Sequence, residues 1–355
     1  MKVTIRTVAK HAGVSPATVS RVLNDPDKVG VETRRKVQRA MEELDFRPNA
    51  IARGLSVQHM NTIGLLVPGI HGLFFNELYQ GIEEAAWAHG MKVLLFDAQL
   101  DEHRALDGFT FLKQHQVAGI IFTSGSITDD YQAMIDRLGI PVVLALTHSR
   151  IRPLAAFRTD DVKAAFDATA YLITRGHRRI AMVAGPPDND VAGATRIEGY
   201  RQALAHYGLE YHPELLDYGD FHFHEGYRAM NRIVARVGRD AFSAVFAASD
   251  EMALGAIRCL AEHGLRVPDE VSVMGFDNLH VAEMMTPGLT TVAQPFHEIG
   301  RQAVECLLHA IATGSKEAYG GIHLLPHQII ERGTVRVIAH ESSLFSSSDA
   351  RAISR

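Results

Sequence analysis

Cysteine is scarce in this chain of 355 residues, where Cys259 and Cys306 are the only two and both lie in apolar stretches with a helical pattern. Two isolated thiols exclude a disulfide framework and a multi-cysteine zinc site. The sequence also has no run of about 18 uncharged apolar residues, and it begins with charged amphipathic sequence rather than a signal-peptide core. We therefore expect a cytoplasmic protein that neither crosses a membrane nor is secreted.

The motifs that mark common enzyme sites are absent as well. No Gly-x-Gly-x-x-Gly follows a strand pattern, no Gly-x-x-x-x-Gly-Lys loop occurs, and the Ser-Gly-Ser at 124–126 is not a nucleophile elbow. His222 and His224 are two residues apart in a loop pattern, without a third ligand at metal spacing. The sequence therefore predicts no catalysis, no cofactor and no bound metal ion.

The net charge of −5 hides an uneven distribution. Residues 1–57 contain 11 Lys and Arg against 6 Asp and Glu, whereas the rest of the chain contains 25 against 35. A basic N-terminal segment joined to a large acidic body favours binding of nucleic acid by that segment alone. The length and the 46% hydrophobic content predict about two domains with a sizeable core.

The basic segment has the pattern of a helix-turn-helix. Residues 4–12 predict a short amphipathic helix that Thr4 or Thr7 caps and that Gly13 ends. A second helix starts directly after that glycine, within 14–24. Two helices separated by a glycine-containing turn are typical of proteins that bind the major groove of DNA.

The second helix presents an outward face near its N-terminus. Ser15 is a suitable N-cap, and proline is tolerated at the first helical position that follows it. Apolar residues turn inward, which leaves outward the side chains that a recognition helix offers to base edges. These outward residues are Pro16, Ala17, Ser20 and Arg21.

A third helix is predicted over 31–44, capped by the region of Glu32 and Thr33. Its apolar residues complete a small three-helix core. A helical hairpin that packs on another protein is the alternative interpretation of the same pattern.

A short helix is predicted next, started by Pro48 and Asn49 and ended by Gly54. A helix of fewer than about 12 residues is marginal in water and depends on a partner to pack against. Ala52 permits close approach of a second helix, and Leu55 is an apolar wedge of the kind that opens a base step in the minor groove. A plain interdomain linker is the alternative.

From residue 62 the sequence alternates short β-rich runs with amphipathic helices, which predicts two similar α/β halves. The first half has strands at 63–67, 93–96, 119–122 and 142–145, with helices near 76–89, 103–115 and 130–138. The second begins after a helix at 161–175 and has strands at 180–183, 244–247 and 271–276, with helices near 193–207, 225–236 and 250–263. A helix over 296–313 and a strand over 327–332 follow.

Polar and aromatic residues gather just after these strands, where parallel sheets bind ligands. They provide carboxylates, a guanidinium and aromatic faces for a hydroxylated ring or an anion, although each taken singly also fits a helix cap. The candidates are Phe74, Ser124, Asp190, Arg196, Phe221, Ser249 and Asp277.

Several of these stretches resemble the DNA-binding head and hinge of the LacI/GalR family of transcriptional repressors. The matching residues are Thr4-Ile5, Val8-Ala9, Val14-Ser15, the run from Thr18 to Asn24, Thr33-Arg34 and the run from Arg47 to Leu55, and the resemblance continues to about residue 338. It implies an α+α/β fold with a three-helix head and a hinge helix, then a two-lobed periplasmic-binding-protein-like α/β core.

The domain limits that follow are 1–47 for the helix-turn-helix, 48–61 for the hinge helix and linker, and 62–340 for effector binding and dimerisation. Residues 341–355 are Ser-rich, and we expect a disordered tail there.

In this family the second helix reads the major groove, and the hinge helices of two subunits pair in the minor groove, where a leucine enters a central step of a palindromic operator. The resemblance therefore implies a homodimeric repressor on double-stranded DNA. The implied DNA-binding residues are Thr4, Ser15, Pro16, Ala17, Ser20, Arg21 and Asn24, with Asn49, Ala52 and Leu55 in the hinge.

Relatives hold a small effector between their two lobes, at positions that match Phe74, Asp160, Arg196, Phe221, Ser249 and Asp277. We expect a sugar, sugar acid or sugar phosphate there. The chain also resembles the catabolite control proteins of the family, whose co-effector is a phosphorylated carrier protein, but Thr286 stands where those proteins place an interface arginine. A transport receptor would share the body but not the head.

Overall fold

The computed structural model describes residues 3–24, 26–46, 61–70, 72–123, 127–314 and 320–338. The chain divides into a small N-terminal unit and a large unit, for which we use the names head, residues 3–46, and body, residues 62–338. No helix of the described ranges is both long and apolar enough to cross a membrane.

The head contains three helices, α1 (Ile5–Ala12), α2 (Pro16–Asn24) and α3 (Val31–Glu43). Its core consists of Val8, Ala9, Val19, Val22, Val37 and Ala40. Thr4 caps α1 by accepting the Thr7 N–H at 3.3 Å. Gly13 ends this helix with φ +69°, a left-handed conformation that glycine adopts without strain. The predicted helix-turn-helix is therefore confirmed.

The predicted cap of the third helix is wrong. Helix α3 begins at Val31, and its N-cap is Gly30, which makes no side-chain cap bond. Glu32 and Thr33 lie inside the first turn, whereas a capping side chain belongs to the residue that precedes the first helical one.

The first lobe of the body is a six-stranded parallel sheet in the order β11-β5-β4-β3-β1-β2. The strands are β1 (Thr62–Val67), β2 (Lys92–Asp97), β3 (Ile120–Phe122), β4 (Val142–Ala145), β5 (Ala155–Thr159) and β11 (Gly321–Leu325). Four helices pack on it, namely α4 (Phe75–Ala88), α5 (Glu102–Gln114), α6 (Asp129–Leu138) and α12 (Phe296–Thr313).

The second lobe repeats this arrangement with the order β12-β10-β9-β8-β6-β7. Its strands are β6 (Ile180–Ala184), β7 (Leu216–Tyr218), β8 (Ala244–Ala247), β9 (Ser272–Asp277), β10 (Thr290–Ala293) and β12 (Gln328–Ile330), of which only β12 runs antiparallel to its neighbour. The helices are α7 (Asp161–Thr174), α8 (Gly193–His206), α9 (Phe223–Val237), α10 (Asp250–Glu262) and α11 (His280–Met284).

The two lobes are interleaved along the chain instead of following one another. Helix α7 packs on α8 in the second lobe, so that lobe begins with the helix predicted at 161–175 and not after it. The chain returns to the first lobe at α12 and β11 and leaves it again for β12. Three crossovers therefore join the lobes, after Thr159, Ala293 and Leu325.

The sequence did not predict four of the observed strands, β5, β7, β10 and β11. Strand β5 is Ala-Ala-Phe-Arg-Thr, whose arginine interrupts the apolar run, and β7 has only three residues. Strand β11 alternates half-buried and exposed residues, with only Leu325 buried, because it forms an edge of its sheet. The crossovers that follow β5, β10 and β11 were missed with them.

Candidate functional site

The N-terminal end of α2 forms the exposed surface of the helix-turn-helix. Ser15 accepts the Thr18 N–H at 3.1 Å, so it caps the helix as predicted, with Pro16 as its first residue. Pro16, Ala17 and Arg21 are exposed, and Ser20 is half-buried. This end therefore offers side chains and a helix N-terminus to a polyanion.

Thr4 lies at the start of α1, where its hydroxyl faces that of Thr7 at 3.1 Å. Exposed basic side chains, among them Arg6 and Lys10, accompany it on the head. The side chain of Asn24 and the hinge residues Asn49, Ala52 and Leu55 lie outside the described residues, so their predicted roles stay predictions.

In the body, a loop at the carboxyl end of the first sheet contacts a helix start at the carboxyl end of the second. The Glu251 carboxylate at the start of α10 in the second lobe accepts the N–H of Leu73, in the loop after β1 of the first lobe, at 3.3 Å. Its other oxygen lies 3.4 Å from His222 Nδ1. Glu251 thus connects the two lobes directly.

Arg196 is buried on α8, at the carboxyl end of the second sheet. Its Nε and Nη2 each lie 2.8 Å from one carboxylate oxygen of Asp161, and its Nη1 donates to the Ala248 carbonyl at 2.5 Å. The guanidinium lies 3.8 Å from the centroid of the Phe276 ring and 5.8 Å from that of Phe221. Pairing and ring contacts therefore hold this side chain in one position.

Arg158 is a second buried guanidinium and spans the lobes from β5. Its Nη2 donates to Asp161 at 2.8 Å and to the Val191 carbonyl at 2.9 Å, while its Nε donates to the Thr159 carbonyl at 3.1 Å. Its Nη1 lies 2.5 Å from His148 Nδ1, which must accept because a guanidinium only donates. Burial, followed by the charge of Arg158, lowers the pKa of His148.

Asp277 is the last residue of β9 and is buried beside Arg196, with 3.9 Å between Asp277 Oδ1 and Arg196 Nη1. The same oxygen accepts the Gln294 amide at 2.8 Å. Burial raises the pKa of Asp277 to about 7, against the opposing effect of Arg196 and with a contribution from Asp161. Its backbone φ of +118° is unusual for a residue with a side chain.

Asp250, the residue after Ser249, is a second carboxyl with a raised pKa. It accepts the Leu279 N–H at 2.7 Å and the Thr291 hydroxyl at 2.5 Å. Burial, reinforced by the charge of Asp277, raises its pKa to about 8. Two neighbouring carboxyls therefore resist ionisation at this end of the second sheet.

Ser249 and Phe221 are joined by their own hydrogen bond. Ser249 caps α10 by accepting the Met252 N–H at 3.1 Å, and its hydroxyl donates to the Phe221 carbonyl at 2.8 Å. A Cβ at Gly185 would lie 2.3 Å from the Phe221 ring, so a glycine is required for the ring to take this position.

The structure brings together four predicted effector residues, Arg196, Phe221, Ser249 and Asp277, all in the second lobe. Phe74 lies in the first lobe, with its ring centroid 5.8 Å from that of Phe296. Asp190 pairs with Arg150 at 3.3 Å.

Asp160 is the N-cap of α7 and accepts the Lys163 N–H at 3.1 Å. The next residue, Asp161, is the one that pairs with Arg196, and sequence reasoning missed it. It also missed Arg158, whose signal was an arginine within an otherwise apolar run. Ser124 lies outside the described residues.

Comparisons with known proteins agree with this two-part organisation. Residues 4–49 match the model described as bacterial regulatory proteins, lacI family, and residues 169–335 match the periplasmic binding protein-like domain. Catabolite control protein A of Priestia megaterium is 35% identical over 329 residues, which cover 93% of this chain and 98% of that protein. The repressor CytR of Escherichia coli K12 is 35% identical over 335 residues, covering 94% and 97%.

Two solved structures cover the head and the body together. A complex of the transcriptional regulator CelR with cellobiose is 33% identical and covers 94% of this chain and 100% of that one, with a TM-score of 0.71. The lac repressor dimer bound to operator and the anti-inducer ONPF is 27% identical and covers 95% and 100%, with a TM-score of 0.84. This chain belongs to the LacI family of bacterial regulatory proteins and is a DNA-binding transcriptional regulator.

Proposed function

We propose that this protein is a homodimeric repressor that binds a palindromic operator through its head and responds to a small effector in the cleft of its body. It acts by binding rather than by catalysis, on DNA in the cytoplasm. The observation that carries this proposal is the exposed N-terminal face of α2 on a basic head, in the same chain as a two-lobed body. The relative solved as a dimer on its operator supports the same arrangement.

DNA recognition follows from the side chains at that face. Arg21 is exposed and supplies the long charged donor that suits a guanine edge or a phosphate. Pro16 and Ala17 are exposed and apolar, which suits contact with a thymine methyl group. Ser15, Ser20 and Thr4 contribute hydroxyls near the DNA backbone.

The test compares two arginine variants on an operator selected from a random DNA library. Arg21→Ala is expected to weaken specific binding by about 1–3 kcal/mol, measured by fluorescence anisotropy. The control, Arg258→Ala, removes the same charge from an exposed pair with Glu262 on the acidic body and should leave binding unchanged. Equal losses in both variants would show that bulk charge, rather than α2, determines binding.

The effector occupies the cleft lined by Arg196, Asp277, Phe221 and Ser249 from the second lobe. Carboxylates and a fixed guanidinium bind hydroxyl groups, and an aromatic face packs on a sugar ring. Relatives solved with cellobiose and with ribose, 33% and 29% identical, support a sugar. Arg196→Ala should therefore weaken the binding of an active sugar in calorimetry, and binding unaffected by this variant would remove the cleft assignment.

Effector binding controls DNA binding by changing how far the lobes close. Any closure must accommodate the three crossovers, the contact from Glu251 to Leu73 and the bonds of Arg158 to Asp161 and Val191. A ligand that prefers one lobe arrangement shifts the population towards it. The catabolite-control alternative gains no support from similarity, because catabolite control protein A and CytR are equally identical to this chain. Binding of a phosphorylated carrier protein in place of any sugar would favour it.

A further inference from the structure

We infer that a clamp of polar side chains holds the two lobes together independently of any effector, and that protonation of His148 releases it. The inference goes beyond the proposed function, because it makes the arrangement of the lobes depend on pH. The clamp consists of His148, Arg150 and Arg158 of the first lobe and their partners Asp161, Asp190 and Val191 of the second.

Arg158 on β5 is the centre of this clamp and is buried. Its Nη2 donates to the Asp161 carboxylate at 2.8 Å and to the Val191 carbonyl at 2.9 Å. Asp161 is only three positions further along the chain, just past the first crossover, whereas Val191 is 33 positions further. The bond to Val191 therefore joins the lobes independently of the covalent connection.

A second contact reaches the neighbouring residue of the same loop. Arg150 lies between β4 and β5, and its Nη1 is 3.3 Å from Oδ2 of Asp190. Arg150 is 65% exposed, so this ion pair alone contributes little. Together, however, the two arginines bind adjacent residues of one second-lobe loop, and a shift of that loop against the first lobe breaks both contacts.

Each loop is fixed within its own lobe, so a contact between the loops constrains the lobes themselves. In the second lobe, Asn189 Oδ1 accepts the N–H of Val191 at 3.1 Å. In the first lobe, Ser149 Oγ accepts the N–H of Arg152 at 3.3 Å and donates to Gln132 Oε1 on α6 at 3.3 Å. Such local side-chain bonds hold a loop in one conformation.

His148 determines when the clamp holds. Its Nδ1 lies 2.5 Å from Arg158 Nη1 and must accept, so this bond requires a neutral ring with its proton on Nε2. A protonated ring has no acceptor and places a positive charge against two guanidiniums. Burial, followed by Arg158 and Arg150, lowers the pKa of His148, and the carboxylates of Asp190 and Asp161 oppose this effect.

Proton binding determines which arrangement acid favours. In the clamped arrangement the pKa of His148 lies below its ordinary value of 6.5, and in the released arrangement the ring regains that value. The released arrangement therefore binds more protons as the pH falls, and acid favours it. The clamp is intact at neutral pH and weakens in acid.

The test measures the distance between the lobes in the full-length protein. Nitroxide labels at Asp107→Cys on α5 and Asp240→Cys in the second lobe report it by pulsed electron spin resonance, in dimers that carry labels on one subunit only. Both positions are exposed, and the native Cys259 and Cys306 are buried. Clamped protein should give one distance, and release should add a second population.

Variants of the clamp should release the lobes at neutral pH. Arg158→Lys keeps the charge but loses the fork that reaches several partners, and it should raise the ratio of released to clamped protein at least about tenfold. Arg150→Ala should raise it about two- to fivefold and serves alone if the first variant does not fold. Arg228→Ala, which breaks an exposed pair with Glu225 inside the second lobe, should leave the distances unchanged. Clamp variants that behave like this control would overturn the inference.

His148→Asn separates the histidine from other pH effects, because asparagine keeps an acceptor but does not titrate. Between about pH 7.5 and 5.5 the wild type should gain released protein, and His148→Asn should not. Asp277 and Asp250, with pKa values of about 7 and 8, also titrate in this range, so the two proteins are compared at each pH.

His115→Asn is the matched control, since the ring of His115 bonds the Phe111 carbonyl on its own helix, and it should respond to pH as the wild type does. Equal responses in the wild type and His148→Asn, or no response in the wild type, would overturn the inference. DNA binding, measured separately at neutral pH, tests the repressor proposal and does not depend on this outcome.

Discussion

Asp161 is the residue on which the buried charges of the cleft depend most. Its two oxygens receive Arg158 Nη2 at 2.8 Å on one side and Arg196 Nε and Nη2 at 2.8 Å on the other. The three side chains are only 6–8% exposed. Asp161→Asn keeps the shape of the side chain but leaves two buried guanidiniums without a compensating charge.

We expect this variant to lose about 3–5 kcal/mol of unfolding free energy, because removing one partner of a buried ion pair leaves an uncompensated charge. Urea unfolding at fixed protein concentration, followed by circular dichroism, measures the loss. Asp269→Asn is the matched control, since its pair with Arg266 is 3.6 Å long and about 70% exposed, and it should cost no more than about 1 kcal/mol. A loss for Asp161→Asn no larger than that of the control would refute the argument.

Three further outcomes are expected. Burial raises the pKa of Asp250 to about 8 from its ordinary 3.8, so the folded state holds a proton that the unfolded chain releases. The free energy of unfolding should therefore fall as the pH rises from about 4 to 8. In urea titrations Asp250→Asn should flatten this fall, and an equally steep fall in the variant would contradict the argument. Gly185→Ala should displace the Phe221 ring and weaken effector binding at least tenfold in calorimetry. Its DNA affinity without effector should stay within about twofold of the wild type. An unchanged effector affinity would rule out a role for that ring. Ser249→Ala should cost about 1–2 kcal/mol in urea unfolding through loss of the cap on α10, and Ser249→Thr should recover most of it if the hydroxyl is the cause.

The sequence predicted the head closely because its signals are local. Gly13, Ser15 and Pro16 mark one helix end and the next helix start within four residues, and the structure has both boundaries there. Local signals failed for α3, where a glycine precedes the first turn and no side chain caps it.

Local sequence patterns could not predict that the two lobes are interleaved along the chain. The sequence of α12 does not indicate that this helix packs on α4, more than 200 residues earlier, instead of on the second lobe that precedes it. Strand β5 was hidden by Arg158, whose charge is compensated only by residues from other elements. A charged residue in a strand is recognisable as buried only once its partners are known.

The Asp160-Asp161 pair shows the same limit at the site. Both are acidic and adjacent, yet the first folds back on the Lys163 N–H as a cap while the second points to Arg196. The helix start decides between them, since the N-cap residue must bond its own first turn. A shift of one residue in the predicted start exchanges the two roles.

The most direct test of the repressor proposal is a hydroxyl-radical footprint of the full-length protein on its selected DNA, with the mass of the complex measured alongside. Two copies on the DNA and two protected half-sites related by a two-fold axis, about one helical turn apart, are the expected result. A single copy that protects one asymmetric site would contradict it.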